Sequence, residues 1–214
     1  MKRSIVIVLV LSVGFAATSC FGPVIRPTVD FTWCPDGSSG MLDYRFSPNV
    51  DTVPNHYIAS LSWEFGDGTT TEESYWEVMH RFAEEGTYSV TLIATDDRGV
   101  SGTVTKDVPV AAAALIRDWQ LTSGVPAKVT GEVVNRYSRK LQAVTIKAKF
   151  YNADGVRVTQ ATTEIDDLDP GEIVRFTIPV QEHAFEIFYA KVSVQSFSSD
   201  CPNLPHTVYD ATDR

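Results

Sequence analysis

Ser62-Trp63-Glu64-Phe65-Gly66-Asp67-Gly68 and Glu85-Gly86-Thr87-Tyr88-Ser89-Val90-Thr91-Leu92 decide the fold of this chain. In the first, Trp63 and Phe65 fall two residues apart and run into a Gly-Asp-Gly turn. In the second, Tyr88, Val90 and Leu92, and Ala94 just beyond it, repeat with period two after Glu85-Gly86. Alternation of this kind is the mark of a strand with one buried face. Gly66 and Gly68 allow backbone angles that a side chain resists, and Asp67 can accept hydrogen bonds from turn amides. Trp63 and Phe65 are therefore expected in the core between two sheets. Asp97-Arg98-Gly99 supplies the next turn. Short strands separated by turns, with no amphipathic helix between them, predict an all-β chain built of β-sandwiches.

The spacing of Trp63-Glu64-Phe65-Gly66-Asp67-Gly68, His80-Arg81-Phe82, Gly86-Thr87-Tyr88-Ser89-Val90-Thr91-Leu92 and Asp96 resembles the signature of PKD (polycystic kidney disease) domains. Glu64 stands where the family has Asp, and Glu85 where it has Pro. Neither change touches the alternation or the glycine turns. The resemblance covers residues 28–110. It implies an immunoglobulin-like sandwich used outside the cell for binding, spacing or adhesion. His80 admits two readings, a ligand or base and a hydrogen-bonded histidine beside the turn. The second is preferred because no nucleophile accompanies it in the sequence. Some PKD domains bind calcium near their start, where Asp30, Asp36 and Asp43 lie here, but no ligand set is assigned.

Further along, Val144, Ile146, Ala148 and Phe150 alternate with Thr145, Lys147 and Lys149. Asn152-Ala153-Asp154-Gly155 and Asp169-Pro170-Gly171 are turns. Strands are expected over 173–180 and 185–197. The order Gly131-Glu132-Val133-Val134-Asn135, Phe150-Tyr151, Leu168-Asp169-Pro170-Gly171-Glu172, Phe176 resembles the FxLYD-type sandwich domains of exported bacterial proteins. That implies a second immunoglobulin-like module over 115–197. Ala111 to Ala114 form the junction, and residues 198–214 a C-terminal tail.

The start of the chain reads as an address. Lys2 and Arg3 precede the apolar run Ile5–Val13, then Ala16-Ala17-Thr18-Ser19 and Cys20. This is the anatomy of a signal peptide over 1–19, and its apolar run is shorter than the ~20 residues that cross a bilayer. Ala17 to Cys20 resembles the lipobox of bacterial lipoproteins, with Ala17 where Leu is usual. The resemblance implies cleavage before Cys20, lipid on its thiol and a tether over 20–27. The mature protein would then be a membrane-anchored part of the cell envelope, on the exported side. With two membranes, Phe21 in place of Asp favours the outer one. Cys34 and Cys201 remain. They are either a disulfide tying the tail to the first module or two separate thiols, and export permits the bridge.

The 214 residues carry 18 Lys and Arg against 27 Asp and Glu, a net charge of −9. Most of the excess sits in residues 28–110, with 14 acidic and 4 basic side chains. Nucleic acid is not an expected partner of so acidic a chain. No H-E-x-x-H, G-x-S-x-G, Walker A or G-x-G-x-x-G pattern occurs, and His56, His80, His183 and His206 are scattered. No enzyme, metal or cofactor is therefore expected, and Asp166-Asp167-Leu168-Asp169 reads as a solvated turn. Tyr75 and Trp76, in an acidic loop, either stack on a sugar or peptide ligand or fold back as core. The function expected is non-enzymatic binding or spacing of extracellular protein or polysaccharide. The alternative is an accessory substrate-binding subunit of an exported hydrolase or secretion assembly.

Overall fold

The computed structural model describes residues 24–38, 40–73, 77–180, 184–199 and 201. The signal segment, Cys20, Tyr75, Trp76, His183 and the tail beyond Cys201 lie outside them. Among the described residues there are thirteen strands, one short 3-10 turn, and no helix long and apolar enough to cross a membrane.

The first sandwich has a three-stranded and a four-stranded sheet. β1 (Thr28–Pro35), β2 (Asp43–Asp51) and β5 (Val78–Arg81) form the first, in the order β1-β2-β5. β3 (Ile58–Glu64), β4 (Thr70–Glu73), β6 (Gly86–Asp96) and β7 (Ser101–Val110) form the second, in the order β4-β3-β6-β7. All pairings are antiparallel, with Trp63 opposite Leu92 and Thr71. The alternation decides which face is dry. Val90, Leu92 and Ala94 of β6 are buried while Thr91, Ile93 and Thr95 between them are only half-buried. Trp63 is fully buried against Phe31, whose ring meets it edge-on at 5.2 Å, and against Phe65, stacked at 6.3 Å. Aromatic pairs of this kind contribute about 0.5–1.5 kcal/mol beyond their buried area.

The second sandwich pairs two three-stranded sheets. β8 (Ala114–Thr122), β9 (Ala127–Asn135) and β12 (Ile173–Val180) are ordered β12-β9-β8. β10 (Leu141–Tyr151), β11 (Arg157–Leu168) and β13 (Tyr189–Ser199) are ordered β11-β10-β13. Val129, Val133, Ile146, Phe150, Phe176 and Ile178 form its core. The alternation of β10 breaks once. Ala143 adopts φ +49°, the register with β13 shifts there, and Leu141 and Val144, three residues apart, both point inward. This is a bulge, which inserts one unpaired residue and restores the buried face.

Three boundaries differ from the sequence reading. Ala114 is not junction but the first residue of β8, and Ala113 and Ala114 are already buried in the second core. Residues 185–188 are not strand, because a 3-10 turn at Ala184–Glu186 precedes β13. Ser198 and Ser199 belong to β13 rather than the tail. Ala114 and Ser198–Ser199 are drawn into strands by pairing with Asn135 of β9 and with Leu141–Gln142 of β10, although their local composition is neutral.

The sandwiches are docked. Cys34 and Cys201 form a disulfide with Cα atoms 5.7 Å apart. Phe197 N–H donates to the Gly37 carbonyl at 3.2 Å, and Ser199 Oγ donates to the Pro35 carbonyl at 2.8 Å. A Cβ on Gly37 would run into the Phe197 ring, and Met41 of the same β1–β2 turn packs on the second core. The Tyr44 hydroxyl bridges the junction residue Ala111, donating to its carbonyl (3.1 Å) and accepting from its N–H (3.0 Å).

Candidate functional site

The signature residues of the first module build the module itself. Gly66 has φ +76°, and a Cβ there would lie 2.8 Å from the Ser89 carbonyl oxygen. Asp67 accepts from Thr69 N–H and Oγ1 through one carboxylate oxygen and faces His80 Nε2 at 2.8 Å through the other. Burial of the Asp67 carboxyl opposes ionisation, but the bonds from Thr69 and His80 outweigh it and hold its pKa below the usual value. The His80 ring stacks flat on Phe65 at 3.9 Å and meets Phe82 edge-on at 4.6 Å. His80 is thus a wedge between the turn and the core. Gly86 opens β6, and Tyr88 packs on Phe82 while its hydroxyl donates to the Glu84 carbonyl. Asp96 is buried and accepts from the Arg98 guanidinium and from Arg98 and Val100 N–H. Burial would raise its pKa, yet those donors lower it to about 2.

The remaining acidic candidates face separate cations. Asp30 meets Lys106, Asp36 meets Arg45, Asp43 meets Arg81, and Asp167 and Asp169 share Lys140. Among the described residues no group of three or more His, Cys, Asp or Glu side chains is placed to hold a metal ion. The segment carrying Tyr75 and Trp76 lies outside the described residues. Thr71 and Glu77 on either side of it line a shallow cleft of about 460 Å³ beside His80.

A second cleft, of about 530 Å³, opens at the junction of the modules. The first module contributes Phe31, Trp33 and Lys106, and the β9–β10 loop of the second contributes Arg136, Tyr137 and Arg139. Trp33 shares the inward face of β1 with Phe31 but sits at the end of the sandwich, half-buried. Lys106 Nζ donates to the Phe31 carbonyl at 2.8 Å and lies 5.9 Å from the centre of the Trp33 ring. The opposite wall is tied by hydrogen bonds and an ion pair. Arg136 N–H donates to the Ala113 carbonyl, and its guanidinium meets Glu85 at 3.2 Å. The buried Asn135 amide donates to the Arg139 and Leu168 carbonyls and accepts from Tyr137 N–H, all at 2.8 Å. Sequence reasoning missed this site, because its walls come from two modules and no motif spans them.

Residues 26–111 match the family model described as PKD domain. This segment is a PKD domain. It is 36% identical over 86 residues to a protein named microbial collagenase from Vibrio alginolyticus, a match covering 40% of this chain and 10% of that protein. The pre-pro-metalloprotease PrtV of Vibrio cholerae serotype O1 (strain M66-2) is 34% identical over 88 residues, covering 40% of this chain and 9% of PrtV. The solved PKD1 domain of Vibrio cholerae PrtV is 30% identical, with a TM-score of 0.35, over 40% of this chain and 98% of that domain. The chain thus spans about a tenth of the length of these curated relatives.

Proposed function

We propose that this is a non-enzymatic, lipid-anchored protein of the cell envelope, held through Cys20 on the exported side of the membrane. Its PKD module binds or spaces extracellular protein or polysaccharide, and its second module is of the FxLYD type. The observation that carries this reading is where the chain enters and leaves the PKD domain. Arg26 donates to the Ser101 carbonyl, Arg98 donates to the Ile25 carbonyl, and the Pro27 carbonyl lies where a Cβ on Gly102 would be. Residues 25–27 are thus fastened at the Ser101 end of β7. The second module starts beyond Val110, at the other end of the same strand. Nine rises of ~3.3 Å along this strand separate the two by about 30 Å. With the lipid at Cys20, the PKD domain would be a stand-off that carries the second module and the junction cleft away from the bilayer. Outer-membrane placement in a two-membrane host accords with Phe21 after the cysteine.

Metabolic labelling with an alkyne fatty acid tests the anchor. Label is expected on the native chain and absent from Cys20→Ala. Equal labelling of both, or of neither, refutes it. A second reading, an accessory substrate-binding subunit of an exported hydrolase, is favoured by the matching segments in proteins named as a collagenase and a metalloprotease. Stoichiometric co-purification with a hydrolase would favour that reading.

A further inference from the structure

We propose that the junction cleft is a binding site for a short carboxylated saccharide, such as a uronic-acid oligosaccharide. This rests on the binding part of the function above and not on the anchor. The chain as a whole is acidic, yet among the described residues the lining of this cleft includes Lys106, Arg136 and Arg139 and no carboxylate. Asp30 pairs with Lys106 and Glu85 with Arg136 from the rim, orienting both cations and leaving their remaining N–H groups to a ligand. Guanidinium groups recognise carboxylates through paired hydrogen bonds. Trp33 and Tyr137 add flat apolar surface to the lining, the surface on which the C–H face of a sugar ring stacks, and Thr32 and Ser138 add hydroxyls. About 530 Å³ falls within the range of small-ligand sites, roughly 300–1,000 Å³.

The geometry favours a sugar over an acidic peptide. An extended peptide would dock by adding a strand to the free edge of β1. There the Phe31 carbonyl is already taken by Lys106 Nζ. The site is also preformed. Cys34, next to Trp33, is bonded to Cys201, Tyr44 fixes Ala111, and Asn135 fixes the loop of Arg136–Arg139. A ligand therefore meets walls that need little ordering, which is the condition for measurable affinity from few contacts.

The test is calorimetric titration of the full chain with a galacturonic-acid trisaccharide, its methyl ester and a Glu-rich hexapeptide. Saturable binding of the acid is expected, weakened about tenfold or more by esterification and by Arg139→Gln. Binding should also fall as salt rises. Trp33→Leu should weaken the acid and the ester alike. Because Trp33 neighbours the disulfide, Arg139→Gln, on an exposed loop, keeps the test decisive if that variant misfolds. No binding of the acid, equal binding of acid and ester, or binding of the hexapeptide alone would each overturn the proposal. A chain that binds cell-surface polysaccharide while failing these tests would retain the function proposed above and lose this site.

Discussion

Tyr44→Phe removes one oxygen atom and nothing else from the junction between the modules. Tyr44 is 4% exposed, and its ring meets Phe82 edge-on at 5.9 Å, a contact that phenylalanine keeps. What is lost is the pair of hydrogen bonds to Ala111, at 3.1 and 3.0 Å. Neutral intramolecular hydrogen bonds contribute about 0.5–1.5 kcal/mol each. Ala111 is half-buried, so water replaces the hydroxyl only in part. The expected loss is about 2 kcal/mol from the first module. For a domain of this size each kcal/mol shifts Tm by roughly 4–8 °C, so its transition should fall by about 8–16 °C. Thermal and urea unfolding of the full chain measure this. Tyr88→Phe is the control, since the Tyr88 hydroxyl bonds the Glu84 carbonyl on an exposed turn and its loss should cost under about 0.5 kcal/mol. If Tyr44→Phe unfolds like the native chain, or like Tyr88→Phe, the hydroxyl does not clamp the junction and the reasoning fails.

Other perturbations have equally definite outcomes. Asn135→Ala breaks three bonds to buried or half-buried backbone and should destabilise the second module by about 3 kcal/mol in urea unfolding, leaving the first unchanged. Gly66→Ala, with positive φ and the Ser89 backbone in the way, should cost at least about 3 kcal/mol, whereas Gly68→Ala, at φ +89° in open space, should cost about 1 kcal/mol. Equal losses would contradict the close approach at Gly66. Asp96 has a folded pKa of about 2 against 3.8 unperturbed. A depressed pKa means that its stabilising charge is fully present above about pH 4 and is lost as pH falls toward 2. The urea midpoint should fall through that window in the native chain and be flatter there in Asp96→Asn. Parallel profiles would remove Asp96 from the acid response.

How much was legible follows from the range of each interaction. The alternation of Val90, Leu92 and Ala94 and the Gly66-Asp67-Gly68 turn are local, and the sequence spacing carries them; the His80–Asp67 contact joins the two sheets and was legible only through the motif. The Cys34–Cys201 bridge, left as one of two readings, is present, because the two modules fold back on one another. The docking surface itself was silent. Gly37 beneath Phe197, Met41 on the second core and Tyr44 on Ala111 are single contacts without period, made between residues far apart in the chain. The junction cleft was illegible for the same reason: Trp33 reads as one more core aromatic until the end of the sandwich leaves it half-buried. The Ala143 bulge was missed because alanine gives no hint of a positive φ.

The most direct test of an anchored, clamped two-module protein is the intact mass of the native chain extracted from membranes, with and without reduction. The expected mass lacks residues 1–19, carries lipid on Cys20 and gains two hydrogens when Cys34–Cys201 is reduced. An unmodified Cys20, or a mass that does not change on reduction, would contradict the anchor or the clamp respectively.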